Sequence, residues 1–361
     1  MLKNACAVLI AAVAAMTSCA ELVPADSPLV RIEGRTAPGQ GGRIRIAYPG
    51  VTFHLRCTGP GLGMLLDASN AQNFFDVTVD GGQAVRLRSV PGLSRYPLLP
   101  ADAGPGEHSV EVVRRTESWQ GTCELVGFDT GGSAHLLPPP PAPARRLLFI
   151  GDSVTCGEFA DVRGDDPLNG KTPNFEQSTD AAKSYGFVLS RRLGADCNLV
   201  SYGGRGIIRD WQGISATNNA PQFYELSLPD DPSVIWKPES YVPDAVGIGL
   251  GTNDFSRGIP DQTLFVNAYV QFLRIVRRDA PQAWIFLLES PIVNDDPGQP
   301  PRRSVLDAYL SEVVKVMNDP RIALAPVSHY PGVPHNGHPT GAEHLKIADE
   351  IEPLFRRALG W

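Results

Sequence analysis

The sequence predicts an α/β protein in two parts: an N-terminal β-sandwich, then a three-layer α/β/α domain built on a five-stranded parallel sheet. Three observations carry this reading. Before residue 138, apolar residues recur in short runs with a period of two; Phe75, Val77 and Val79 alternate ahead of the turn pair Asp80-Gly81, and Val110 and Val112 alternate after His108. After residue 145 the rhythm changes to continuous apolar runs separated by helical patterns. Between them stands Pro138-Pro139-Pro140-Pro141-Ala142-Pro143, a stiff extended connector. At 361 residues the chain is also longer than most single cores, which favours two domains.

In the first part, further short runs at Ile44 to Ala47, Val51 to Cys57 and Cys123 to Phe128 are separated by Gly and Pro clusters, as a sandwich requires. In the second, runs at Leu147 to Ile150, Asn198 to Ser201, Ala245 to Leu250, Trp284 to Leu288 and Ile322 to Pro326 read as buried parallel strands. Helical spacing links Phe265, Ala268, Tyr269, Phe272 and Val276, then Val305, Ala308, Tyr309, Val313 and Val316, and finally Ala348, Ile351 and Phe355. The resulting division is a signal peptide over 1–20, a β-sandwich over 26–137, a Pro-rich linker over 138–145 and an α/β domain over 146–361.

Residues 1–20 read as a targeting segment: Lys3 supplies the positive start, and Cys6 to Met16 is an apolar run too short to span a bilayer. Two processing routes stay open, a plain cut at Ser18-Cys19-Ala20 or a lipid anchor on Cys19 through Met16-Thr17-Ser18-Cys19. Either implies an exported protein. Net charge is −7 with dispersed Lys and Arg, which argues against nucleic acid or an anionic membrane as the main partner. Cys57 and Cys123 are read either as a bridged pair or as two buried thiols, and no Cys or His spacing suggests a metal.

Chemistry in an open parallel sheet sits at the carboxyl ends of the strands, and four short motifs fall there. Gly151-Asp152-Ser153 closes the first strand and exposes a hydroxyl at a strand-to-helix bend. Ser201-Tyr202-Gly203-Gly204-Arg205-Gly206 follows the second, where glycines let backbone N–H groups approach a ligand. Gly251-Thr252-Asn253-Asp254 follows the third and offers a carboxamide donor. Asn336-Gly337-His338-Pro339 follows the last and offers a base for a serine proton, with His335 and His344 as rivals; His344 is read as a surface position of the final helix. Asp152 and Asp254 are read as loop braces.

Ser, Gly, Asn and His in that order, each at a strand end, resemble the SGNH (GDSL-type) hydrolases over roughly residues 145–360. The resemblance implies Ser153 as nucleophile, the Ser153 N–H, Gly204 and Asn253 as oxyanion hole, and His338 as base. With His108-Ser109-Val110, Arg115-Thr116-Glu117 and Thr155-Cys156-Gly157, the whole chain resembles the carbohydrate esterase family 2 enzymes. That implies a jelly-roll N-terminal domain, an exported acetyl esterase, and an acetylated polysaccharide or oligosaccharide (xylan or glucomannan type, at the 6-hydroxyl in some members) as partner, with no cofactor or metal. Many SGNH enzymes carry an Asp three residues before the His; here that position is His335. A Ser–His dyad is therefore expected, with a backbone carbonyl or the Asn336 side chain orienting His338. Trp119 and Trp211 are candidates to stack on sugar, and the 158–179 loop is a candidate cleft wall. The competing expectations are a lipase or thioesterase for longer acyl chains and a catalytically degenerate carbohydrate-binding protein.

Overall fold

The computed structural model describes residues 21–100, 102–162, 178–214, 217–332 and 337–361. Its first half holds twelve strands among the described residues. They are β1 (Leu22–Pro24), β2 (Arg31–Glu33), β3 (Ala37–Pro38), β4 (Ile44–Ile46), β5 (Thr52–Thr58) and β6 (Gly63–Ala68). The remainder are β7 (Phe74–Val79), β8 (Val85–Arg88), β9 (Gly92–Pro97), β10 (Glu107–Arg114), β11 (Cys123–Asp129) and β12 (His135–Leu137). They form two antiparallel sheets, one ordered β3-β4-β11-β6-β9 with β1 on β11, the other β12-β5-β10-β7-β8 with β2 on β5. Alternation drives the packing: Val110 and Val112 of β10, Phe53 and Leu55 of β5, and Met64 and Leu66 of β6 all point into one core. Cys57 and Cys123 lie on different sheets as buried free thiols, so the unbridged reading holds.

Residues 138–144 run outside any helix or strand. The second half then builds a parallel sheet from β13 (Arg145–Gly151), β14 (Ala195–Ser201), β15 (Ala245–Gly249), β16 (Trp284–Leu288) and β17 (Ile322–Ala325), ordered β14-β13-β15-β16-β17. All five expected strands are present, with ends shifted by no more than three residues. Between and after them lie α1 (Ser153–Cys156), α2 (Tyr185–Arg192), α3 (Ala220–Phe223), α4 (Thr252–Phe255), α5 (Gln262–Asp279), α6 (Arg302–Met317) and α7 (Gly341–Leu359). Both faces of β13 are covered. Leu148 and Ile150 join the apolar cluster that also contains the sandwich core, whereas Leu147 and Phe149 join the cluster under α2 and α7. The two halves therefore share a continuous apolar interior, and burial of this kind is the dominant favourable term in such a contact.

Buried charges line the same seam. Arg115, at the end of β10, has only 1 % of its side chain exposed and reaches Asp180 (2.9 Å), Asp161 (2.8 Å) and Asp76. Glu33 on β2 accepts hydrogen bonds from Arg191 on α2 and from the backbone N–H of Cys197 on β14, both at 2.7 Å, and contacts His54 at 2.8 Å. Burial alone would raise its pKa; the His54 bond and the Arg191 charge outweigh that and hold it down at about 2.

Candidate active site

The bend after β13 places the first functional group. Asp152 caps α1 by accepting from the Val154 N–H at 3.1 Å, which leaves Ser153 as the first helical residue. An N–H in that position has no acceptor within its own helix and is free for a ligand. The Ser153 hydroxyl is 5 % exposed and lies 2.8 Å from Nε2 of His338. The two residues are 185 positions apart in the chain.

The other two motifs close around this pair. Gly204 follows β14 with φ of +77°, where a side chain is strained, and a Cβ there would sit 2.7 Å from the Trp211 ring. Its carbonyl accepts from the Trp211 N–H at 2.8 Å. Asn253, on α4, donates through Nδ2 to Asp152 (3.1 Å) and to the Arg205 carbonyl (3.0 Å). This links the first, second and third motifs directly. Both amide hydrogens are engaged in this arrangement, so service to an oxyanion requires one of those bonds to yield. Asp254 accepts from the backbone N–H groups of Ile207, Ile208 and Arg209 and so fixes the loop after Gly204. Burial raises Asp152 to about 7 and Asp254 to about 6, in keeping with bracing side chains rather than free acids.

These groups line a cavity of about 710 Å³ whose walls include Trp119, Glu158, Tyr202, Arg205, Asp210, Trp211 and Gln212. Ser153, Gly204, Asn253, His338, Trp119 and Trp211 all line this one cleft. Trp119 and Trp211 are 42 % and 50 % exposed, which makes them available to a ligand. Asn336 and His335 lie outside the described residues, as do residues 1–20, Cys19 among them, and residues 163–177 of the expected cleft wall.

Residues 32–140 match the family described as "Carbohydrate esterase 2 N-terminal", and residues 149–345 match the GDSL-like Lipase/Acylhydrolase family. An acetylxylan esterase / glucomannan deacetylase of Cellvibrio japonicus is 33 % identical over 347 residues, covering 96 % of this chain and 93 % of that protein. This chain is a family 2 carbohydrate esterase. The solved family two esterase from Cellvibrio japonicus superposes with a TM-score of 0.88 at 32 % identity, covering 95 % of this chain and 98 % of that one. The family two esterase from Clostridium thermocellum, solved with cellohexaose, gives 0.83 at 27 % identity, covering 92 % and 99 %. The fold is accordingly the jelly roll and SGNH domain of that family, and the protein is an acetyl esterase of the GDSL hydrolase class.

The esterase also corrects one expectation and adds residues that the motifs do not announce. His344 is not on the surface. It is fully buried, stacks on Tyr185, accepts from the Tyr185 N–H at 3.2 Å, and is depressed to about 3 by burial and by His338. Its spacing of four from Ala348 puts it on the apolar stripe of α7, so position on the helix decided over polarity. Cys156 is fully buried and donates to Ser201 Oγ at 3.2 Å. The unannounced residues are Glu117 and Glu158. Glu117 comes from the sandwich, on a loop that Ser118 pins to the end of β14 by donating to the Ser201 carbonyl at 2.7 Å. Only the run Arg115-Thr116-Glu117, polar yet buried, marks that loop in the sequence.

Proposed function

We propose that this esterase removes O-acetyl groups from a xylan- or glucomannan-type polysaccharide by a Ser153–His338 dyad. The observation that carries the reading is the 2.8 Å contact between Ser153 Oγ and His338 Nε2 at the floor of a cleft flanked by two exposed tryptophans. The relatives named acetylxylan esterase / glucomannan deacetylase, and the relative solved with cellohexaose, support the substrate class.

Ser153 Oγ attacks the acetyl carbonyl while its proton passes to His338 Nε2. The oxyanion is met by the N–H groups of Ser153 and Gly204, with Asn253 as the side-chain donor once a bond yields. The tetrahedral species collapses as Nε2–H protonates the departing sugar oxygen, leaving an acetyl ester on Ser153. Water, deprotonated by His338, releases acetate and restores the hydroxyl. Trp119 and Trp211 supply flat apolar faces for the pyranose rings, and Arg205, Asp210 and Gln212 supply hydroxyl partners. The two tryptophan faces suit pyranose rings, and a comparison of acetate with octanoate esters separates this reading from a long acyl chain. The Lys3 start and the Cys6 to Met16 run support export before the enzyme acts.

Ser153→Ala is expected to lower kcat on acetylated xylan or a chromogenic acetate by more than about 10⁴-fold, with the fold intact by circular dichroism. A variant as active as the wild type overturns the assignment.

A further inference from the structure

We propose that Glu117 and Glu158 share one proton, and that the charge remaining on Glu158 serves as counter-ion to His338 where the loop has no aspartate. This inference rests on the Ser153–His338 reading. Glu158 follows the α1 turn, is 8 % exposed, and brings Oε2 to 3.6 Å from His338 Nε2, the nitrogen that faces Ser153. Among the described residues, His338 is its one ion-pair partner within 4 Å. Behind Glu158 stands Glu117, fully buried, its carboxyl against that of Glu158; Oε2 accepts from Trp119 Nε1 at 3.1 Å, and Oε1 has no hydrogen-bond donor among the described residues.

Two carboxylates in contact cannot both accept; one must donate a proton to the other. Burial and the Glu158 charge push Glu117 well above the usual carboxylate range, so the proton resides on the deeper partner. The pairing is built into the fold in three ways. A Cβ at position 203 would fall 1.9 Å from Glu117 Oε2, so Gly203 leaves the space that the carboxyl occupies. Arg114 donates to the Glu117 carbonyl at 3.2 Å and to the Ile46 carbonyl at 2.9 Å. The Glu117 N–H is held by Gln120 Oε1 at 2.7 Å. The sandwich thereby delivers a neutral hydrogen-bond donor to the catalytic cleft.

In the reaction the Ser153 proton moves to Nε2 and onward to the sugar oxygen; none passes to Glu158. Its charge favours the imidazolium while that ion exists. Glu158 is thus a positioning residue. The other titratable groups around His338 are Asp152 below the nucleophile and His344 on α7, while Cys156 and Asp152 face the carboxyl pair. Arg205 is occupied by Asp210 at 3.8 Å.

The test is Glu158→Gln, assayed on 4-nitrophenyl acetate and on acetylated xylo-oligosaccharide, with Glu158→Asp as the charge-retaining control. Loss of the charge should lower kcat about tenfold, leave KM within about twofold, and move the acid limb of kcat/KM down by about one pH unit. Glu158→Asp should restore the limb in part. In infrared difference spectra of wild type against Glu117→Gln, one carboxylic-acid C=O band should be lost, over and above those of the buried Asp152 and Asp254. If Glu158→Gln leaves kcat and the limb in place and raises only KM for the oligosaccharide, Glu158 is a sugar contact and the inference is overturned. A difference spectrum with no carboxylic-acid band lost in Glu117→Gln overturns it too. An active Ser153→Ala would instead remove the underlying mechanism, so the two failures are distinguishable.

Discussion

The seam between the sandwich and the sheet domain and the catalytic cleft both bury ionisable side chains, yet the two regions keep them in opposite ways. At the seam, charges are paired: Arg115 meets Asp76, Asp161 and Asp180, and Glu33 meets His54 and Arg191. In the cleft, burial drives groups toward their neutral forms: Asp152 and Asp254 upward, His344 downward, Glu117 far upward. The reason is supply. The seam can draw arginines from two domains, whereas a cleft that must bind a neutral sugar ester has few cations to spare. A buried ion needs a partner; a buried neutral acid or imidazole needs only a hydrogen bond.

This contrast can be tested region by region. The largest effect expected of these variants is in the cleft. Asn253→Ala removes both a candidate oxyanion donor and the partner of Asp152, and should lower kcat by about 10²- to 10³-fold with KM little changed. A loss below about threefold in steady-state kinetics would reassign Asn253 to a purely structural tie between the motifs.

At the seam, Arg115→Met should cost about 3 kcal/mol in urea unfolding, because three carboxylates lose their shared cation while the side-chain volume is kept. Retention of wild-type stability would mean that these carboxylates reach water or other cations, and the contrast would weaken.

The smallest effect concerns pH. His344 sits at about 3 in the folded chain against an ordinary value of 6.5, so the unfolded chain binds a proton that the folded one refuses. Its penalty is absent above pH 6.5 and grows as pH falls toward 3, by about 1.4 kcal/mol per unit. Asp152 and Asp254, with raised values, act in the opposite sense over their own range, so the comparison must be with His344→Gln. That variant should lose less stability than wild type between pH 6.5 and 5, measured by urea midpoints. Glu33 has the complementary signature: held at about 2 against 4.5, it stabilises fully above 4.5 and loses that contribution as pH falls to about 2.

Legibility follows the same division. Strands β13 to β17 are readable because a parallel strand covered on both faces must be apolar along its length, as Leu147, Leu148, Phe149 and Ile150 are. The cleft residues Ser153, Gly204 and Asn253 are readable because each lies within four residues of the end of such a strand, whereas His338 lies in the longer stretch between β17 and α7. His344 shows a readable signal passed over: its spacing to Ala348, Ile351 and Phe355 placed it inside, and its polarity suggested otherwise. Glu117 and Glu158 fall in segments that the sequence singles out, Arg115-Thr116-Glu117 and the 158–179 loop, but nothing local marks their meeting, which depends on how a sandwich loop docks on another domain.

The sequence by itself determined the two-part architecture, the order of the strands along the chain and the four blocks at their ends. These follow from periodicities and turn residues that act over a few positions. Only the tertiary structure decided that His338 reaches Ser153 across 185 positions, that Ser118 fastens the sandwich to β14, and that Glu117 lies against Glu158. Such contacts are set by the burial of two domain faces against each other. Burial fixes which polar groups meet, and no local pattern encodes that.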